Sequence, residues 1–231
     1  MIGVAIDFSP IWISLKTAST ATLLTFFFGI AVAWYVANYR GRLKGLVDGL
    51  LTLPMVLPPT VAGFFLLLIF GKYGPIGKIL YALGIPVIFT WQATVIAATV
   101  VAFPLMYKTA RAAFEQIDGN ILNAARTLGV SEWNVFWRVS VPLARPGIAA
   151  GTVLAFARAM GEFGATLMVA GGIPGKTQTI PIAIFFAAEG GEMNKAMIWV
   201  LLITGISLIA MVLINYWTEY QHKSLTFSGR K

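Results

Sequence analysis

Five long apolar runs constrain the fold of this chain more than any other feature. Each is close to the 20 or so residues that a helix needs to cross the hydrocarbon of a bilayer. They are 17–37, 46–70, 86–107, 147–170 and 196–217. Hydrophobic residues make up 58% of the chain and charged residues 11%, which is far from the composition of a soluble domain. The sequence therefore predicts an all-α integral membrane protein with about five transmembrane helices, in a single domain over 1–231.

A sixth apolar stretch, 179–188, is only about half as long as a membrane span. Pro181 and the pair Gly190-Gly191 interrupt it or follow it closely. It is therefore predicted to form a short outer or re-entrant helix, because a helix of that length cannot cross the hydrocarbon.

Basic residues are concentrated in alternate loops of the chain. Four lie in one set of loops, at Lys72, Lys78, Lys176 and Lys195. Eleven lie in the other set, at Arg40, Arg42, Lys44, Lys108, Arg111, Arg126, Arg138, Arg145, Lys223, Arg230 and Lys231. Because positively charged loops stay in the cytoplasm, we expect a cytoplasmic-membrane protein with its N-terminus outside and its C-terminus inside. Topology explains the net charge of +8, since the scattered basic residues form no continuous face for nucleic acid.

The polar insert between the third and fourth runs contains two short predicted helices. Asp118 suits the N-cap of the first helix, and Gly129 suits its end because glycine tolerates the left-handed conformation. Ser131 suits the cap of the second helix, which Pro142 is expected to stop. The residues alone leave two interpretations open, a bent docking element or an amphipathic helix that lies on lipid headgroups.

Two of the apolar runs contain residues that disturb a plain membrane helix. Pro54, Pro58 and Pro59 predict a kinked or partly unwound second run, which lines a cavity or is only a packing kink. In the fourth run, Arg158 and Glu162 are four residues apart and are expected to pair on one helix face. Charges inside a span usually face an aqueous path, but the alternative is a pair that only fixes helix packing.

Several classes of catalytic site are excluded or disfavoured. The chain has no cysteine and a single histidine, His222, so thiolate chemistry is excluded and a metal centre is disfavoured. It also lacks the Gly-x-x-x-x-Gly-Lys-Ser/Thr motif that holds ATP phosphates. We therefore expect no enzyme and no cofactor bound by the chain itself. A channel or secondary transporter is the main rival, although internal repeats typical of many secondary transporters are not evident.

Residues 123–142 resemble the cytoplasmic loop of ABC-transporter permeases, which reads Glu-Ala-Ala, three residues, Gly, nine residues, Ile-x-Leu-Pro. Asn123 stands where that pattern usually has Glu. The segments 53–61, 156–166 and 173–181 resemble the permease subunits of molybdate ABC transporters. The Gly-Glu-Phe-Gly element at 161–164 is shared with sulfate permeases, so tungstate and sulfate stay open as alternative anions.

The resemblance implies the fold of a type I ABC importer permease, with a cytoplasmic coupling-helix loop at 118–142. It also implies a second copy of the chain, two copies of a cytoplasmic ATPase that uses ATP and Mg, an outer molybdate-binding protein and surrounding membrane lipid. The residues implied to couple to the ATPase are Asn123, Ala124, Ala125, Arg126, Gly129 and Pro142. The residues expected along the translocation path are Pro58, Pro59, Thr60, Arg158 and Glu162.

Overall fold

The structure, a computed structural model, describes residues 7–228. Beyond Val212 the only side chain that it describes is that of Tyr216. Two of the basic residues used for the orientation, Arg230 and Lys231, lie outside the described residues.

Within 7–228 the chain forms eleven α-helices and one π-helical turn, without a strand. They are α1 Ser9–Asn38, α2 Lys44–Val56, α3 Pro59–Phe70, α4 Pro75–Ala82, α5 Trp91–Glu115, α6 Gly119–Thr127, α7 Glu132–Val135, the π turn Phe136–Ser140, α8 Val141–Met160, α9 Gly164–Ala170, α10 Ile180–Glu189 and α11 Met193–Ser228. The all-α prediction is confirmed, and α10 confirms the predicted short helix. Helix α4 was not predicted.

Four described helical segments are long and apolar enough to cross a membrane: α1, α5, the continuous helix Glu132–Met160, and Met193–Val212 within α11. The pair α2 and α3 passes the same test together, but its two helices meet at a bend of 112°. The number of spans reaches the predicted five when this bent pair counts as one. The break falls at Leu57 and Pro58, within the segment where a kink was predicted.

The core of the bundle is formed by α1, α5 and α8, which pack through small residues. Thr17 Oγ1 lies 2.9 Å from Thr94 Oγ1, and the backbone of Gly29 approaches Met106. In both contacts the two residues are 77 positions apart in the sequence. This constant separation shows that α1 and α5 run parallel. The start of α8 packs antiparallel to α5, with Gly147 against Ala113. Alanine and glycine at these contacts let the helix backbones approach closely.

Helix α5 extends well beyond its predicted apolar run. It begins at Trp91, five residues later than predicted, and continues to Glu115, eight residues past the predicted end. Ala110 and Phe114 in this extension are buried against the bundle. Hydropathy therefore marked the part of the helix that suits the membrane, whereas packing beyond the membrane determines where the helix ends.

The prediction that Pro142 stops a helix is wrong. Helix α7 leads through the π turn into α8, so that residues 132–160 form one continuous helix. The Val141 N–H donates to the carbonyl of Phe136, five residues earlier. The wider π turn relieves the clash between the ring of Pro142 and the preceding turn, so the helix continues through the proline although its missing N–H removes one backbone hydrogen bond.

A fourth spanning helix is present, but its predicted bounds, 147–170, are wrong. Helix α8 ends at Met160, and α9 begins only at Gly164. Phe163 between them has φ −127° and ψ −63°, which is not helical. The interruption is possible inside an apolar region because the carboxylate of Glu162 accepts a hydrogen bond from the freed N–H of Ala165.

Candidate functional site

The predicted bent helix pair is present where α5 leaves the bundle. Asp118 caps α6 by accepting a hydrogen bond of 2.9 Å from the Asn120 N–H. Gly129 follows α6 with φ +74°, in the left-handed region that favours glycine. Ser131 then caps α7, since its hydroxyl accepts from the Asn134 N–H at 3.4 Å. All three local predictions are confirmed.

An ion pair fastens the two helices across this bend. Arg126 Nε lies 2.7 Å from Glu132 Oε1, and Arg126 Nη2 lies 3.2 Å from Glu132 Oε2. Arg126 Nη1 also donates to Asn123 Oδ1 at 3.3 Å. Hydrogen bonding to the Glu132 carboxylate raises the pKa of the Arg126 guanidinium. The asparagine at the position where the loop pattern usually has glutamate therefore contacts the arginine of the same motif.

Helix α6 presents most of its surface to the outside. None of its residues is buried, and its main neighbour is α7. Leu128 is 81% exposed and Trp133 69% exposed, although both are large apolar side chains. We call the outer side of 119–133 the coupling surface. It includes Asn123, Ala124, Arg126 and Gly129, which are exposed, and the half-buried Ala125, but it does not include Pro142, which lies half-buried in α8.

A buried aromatic residue anchors the coupling surface to the bundle. Phe136 is 7% exposed and lies in the π turn directly after α7. Its ring centroid is 5.1 Å from that of Trp34 in α1 and 6.3 Å from that of Phe114 in α5. The exposed coupling surface is thus connected directly to the two parallel helices of the core.

The breaks in the second and fourth runs meet each other. A Cβ atom added to Gly164, the first residue of α9, would lie 3.2 Å from Pro59 Cβ and from Thr60 N. One turn further along, the backbone of Gly63 lies against Ala165. Pro58, Pro59 and Thr60 keep exposed surface on their other side. We call this contact between α3 and α9 the helix junction, and it brings together the two segments predicted to line the path.

Arg158 and Glu162 form the predicted pair at this junction, although not in the predicted geometry. Arg158 Nη1 lies 2.8 Å from Glu162 Oε2, without the direction of a hydrogen bond. Glu162 lies beyond the end of α8, so the two residues do not share a helix face. Its other oxygen, Oε1, accepts the Ala165 N–H at 2.8 Å and so caps α9. The side chain of Glu162 is 2% exposed and that of Arg158 is 30% exposed.

A second polar cluster was not predicted from the sequence. Asp48 of α2 accepts hydrogen bonds from the Tyr107 hydroxyl at 2.9 Å and from Arg111 Nη1. Glu115 Oε1 accepts from Arg111 Nε at 3.0 Å and from Lys44 Nζ at 3.1 Å. The cluster ties the start of the bent pair to the end of α5, four residues before the first residue of α6. The available signal was Asp48, an isolated acid inside an apolar run.

The acidic residues of the described chain are mostly used in ion pairs. No group of three or more histidine or acidic side chains in the described residues could hold a metal ion. Each of the following faces a basic partner instead: Asp48, Glu115, Glu132, Glu162 and Glu192. These ion pairs hold helices or helix ends in place.

Comparisons with known proteins agree with this architecture. Residues 26–226 match the family described as binding-protein-dependent transport system inner membrane component. The chain is 47% identical over 211 residues to YvgM of Bacillus subtilis (strain 168), covering 90% of this chain and 92% of that protein. It is 43% identical over 214 residues to the molybdenum transport system permease protein ModB of Escherichia coli (strain K12), covering 91% and 93%.

A solved structure has the same fold. A bacterial ABC transporter involved in the import of the acidic polysaccharide alginate aligns with a TM-score of 0.74 at 15% identity, covering 92% of this chain and 78% of that one. The chain therefore has the ABC importer permease fold that the sequence predicted.

Proposed function

The chain belongs to the family of binding-protein-dependent transport system inner membrane components, and we propose that it is the permease subunit of an ATP-driven importer of molybdate. The assignment of the anion is supported by the 43% identity with a molybdenum transport system permease of Escherichia coli over most of both chains. One structural observation carries the mechanism: a bent, exposed helix pair projects from a bundle that contains two interrupted helices. A partner protein that binds this helix pair would be connected rigidly to the bundle.

The partner on the coupling surface is a cytoplasmic ATPase, present in two copies. The surface combines exposed apolar residues, Leu128 and Trp133, with the fixed Arg126–Glu132 ion pair, and such a mixture suits a protein interface. Gly129 fixes the angle between α6 and α7, and thus the shape of the surface. Movement of the ATPase reaches the bundle through Phe136, which packs on α1 and α5.

Two copies of the chain enclose the path of the anion, which runs beside the helix junction. An interrupted helix in a membrane needs protein or water next to its free backbone groups, and a dianion cannot cross hydrocarbon without a polar route. Pro58, Pro59 and Thr60 have the exposed surface that such a route requires. Arg158 pairs with Glu162, whose other carboxylate oxygen caps α9 at the junction. In this proposal the N-terminus lies outside, where a binding protein delivers the anion.

Reconstitution into liposomes tests the proposal. Together with the ATPase and the binding protein, the chain is expected to accumulate molybdate only when ATP is present. Uptake by the chain alone would show a channel or secondary transporter instead. Calorimetry of the binding protein with molybdate, tungstate and sulfate identifies the anion, and preferred binding of sulfate would overturn the assignment of the substrate while leaving the transport mechanism intact.

Labelling with a water-soluble thiol reagent tests the path, because the chain has no natural cysteine. Val61, which is 37% exposed, is a suitable site, whereas Gly63 is unsuitable because a side chain there would meet Ala165. Cysteine at Val61 should react to different extents in nucleotide-free and ATP-trapped complexes. Cysteine at Leu23, an exposed residue in the middle of α1, is the control and should stay unlabelled. No labelling of Val61 in either state would place the path elsewhere, and strong labelling in both would indicate an open channel.

A further inference from the structure

A groove of about 410 Å³ lies between α1 and the helix Glu132–Met160, on the outside of the bundle. Phe26, Phe27 and Ala31 form its wall on α1, while Trp137 and Ala149 line the other side. The lining is almost entirely apolar, and Arg145 is the one charged residue among the described side chains that form it. A groove of this size is within the range of ligand sites in proteins.

The groove runs from the level of the membrane surface into the hydrocarbon. Gly147 packs on Ala113, between Arg111 and Glu115 of the polar cluster, so Arg145 lies close to the level where charges meet water. Phe26 lies twelve residues before the end of α1, which corresponds to a depth of about 18 Å along a helix. That depth is about the thickness of one hydrocarbon leaflet.

The charges around the groove favour an anion at its surface end. Arg145 and Arg138 form no ion pair with any side chain that the structure describes, and no acid lines the groove. Trp133 and Trp137 also line it, and tryptophan is typical of the interface between membrane and water. A ligand with one anionic group and a long apolar chain matches all of these properties.

We propose that this groove binds one anionic phospholipid per copy of the chain, with its phosphate at Arg145 and an acyl chain against Phe26 and Phe27. The guanidinium donates charge-assisted hydrogen bonds to the phosphate oxygens. The lipid packs next to Phe136 and Trp133, where the coupling surface joins the bundle, and therefore stabilises that attachment. In the proposed orientation this site lies in the cytoplasmic leaflet, whereas lipid binding itself depends neither on the orientation nor on the transported anion.

Native mass spectrometry of the assembled complex with added phosphatidylglycerol tests this site. The natural complex should retain one phosphatidylglycerol per copy of the chain, and more of it than of phosphatidylcholine. Arg145→Gln should lower retention about tenfold or more, because a hydrogen bond to a charged group is lost, and Arg145→Lys should restore part of it. Arg42→Gln removes the same charge from an exposed position outside the groove and should leave retention unchanged.

A second variant probes the apolar part of the site. Ala149→Phe fills the groove and should lower retention although every charge is kept. Retention that is equal in the natural complex and in Arg145→Gln would overturn the proposal. Separation of the two copies by Ala149→Phe, with lipid retention unchanged, would identify the groove as an interface between copies and would equally overturn it. Failure of molybdate transport in the natural complex would concern the proposed function only.

Discussion

The chain interrupts its helices in two different environments, at the bend around Gly129 and at the break between α8 and α9. At the bend, the backbone is exposed, and a Cβ atom added to Gly129 would meet no atom within 4 Å. At the break, the surroundings are packed, and Glu162 is 2% exposed. Water can satisfy free backbone groups at the first site, whereas protein must do so at the second. The bend therefore depends on one backbone conformation, and the break depends on a carboxylate with two partners.

An ion pair has a different role at the exposed bend and at the buried break. Glu132 pairs with Arg126 at an exposed position, where an ion pair contributes little because solvent competes with it. Glu162 pairs with Arg158 and also caps α9, so that its removal affects a cation and a backbone N–H together. We therefore expect equivalent substitutions to have large effects at the helix junction and small effects at the coupling surface.

The largest effect is expected for Arg158→Leu. This change leaves the Glu162 carboxylate buried without a cation, which costs about 3–5 kcal/mol. The double variant Arg158→Leu with Glu162→Gln should recover much of that loss, because glutamine is neutral and its oxygen still accepts the Ala165 N–H. Thermal unfolding of the purified variants measures the stability lost in the single variant and the stability recovered in the double variant. A double variant that is no more stable than Arg158→Leu would show that the pairing of charges does not matter here.

Gly63→Ala is expected to have the next largest effect. Its Cβ would lie 2.7 Å from the Cα of Ala165, so α3 and α9 must move apart, at a cost of about 1–3 kcal/mol. Gly49→Ala in α2 is the matched control, because a Cβ there has open space, and it should be neutral or slightly stabilising. Melting temperatures compare the two variants. Equal melting temperatures would mean that the contact at the junction is looser than the structure indicates.

Gly129→Val tests the bend itself. Valine disfavours the left-handed conformation by about 1–2 kcal/mol, so the angle between α6 and α7 should change and stimulation of the ATPase should fall. Gly129→Asn should be far milder, since asparagine tolerates this conformation. Both substitutions should affect coupling more than melting temperature, because a Cβ atom at position 129 would meet no other atom of the protein within 4 Å. Full ATPase stimulation in the valine variant would contradict the role of the bend.

The smallest effect is expected for the surface pair. Arg126→Ala should cost about 0.2–1 kcal/mol of stability, and less in high salt, because both partners are partly exposed. Arg126→Lys, which keeps the charge but not the two parallel hydrogen bonds, should fall between the alanine variant and the natural protein. Thermal unfolding at low and high ionic strength measures this. A loss as large as that of Arg158→Leu would remove the contrast between the two regions.

The features that could be predicted from the sequence are those that depend on neighbouring residues. Asp118, Gly129 and Ser131 act on backbone groups within a few positions, so residue type alone indicated caps and a bend. The long apolar runs likewise predicted the helices of the core.

The missed features depend on contacts between distant parts of the chain. Asp48 meets Tyr107 across 59 residues, and no local pattern indicates that contact. The interruption at Glu162 was missed because the hydropathy of a segment does not indicate whether a side chain caps the next helix. Pro142 was misjudged because the preceding turn widens to accommodate its ring, which a rule for regular helices does not include.

The continuous helix of 29 residues from Glu132 to Met160 connects the coupling surface with the helix junction. At 1.5 Å per residue it is about 44 Å long, and no loop divides it. A tilt of about 5° at its coupling end would displace its far end, next to Arg158, by about 4 Å. Displacement on this scale is comparable to the size of a small inorganic anion, so in the proposed mechanism a modest movement of the ATPase would be sufficient to open or close the path there.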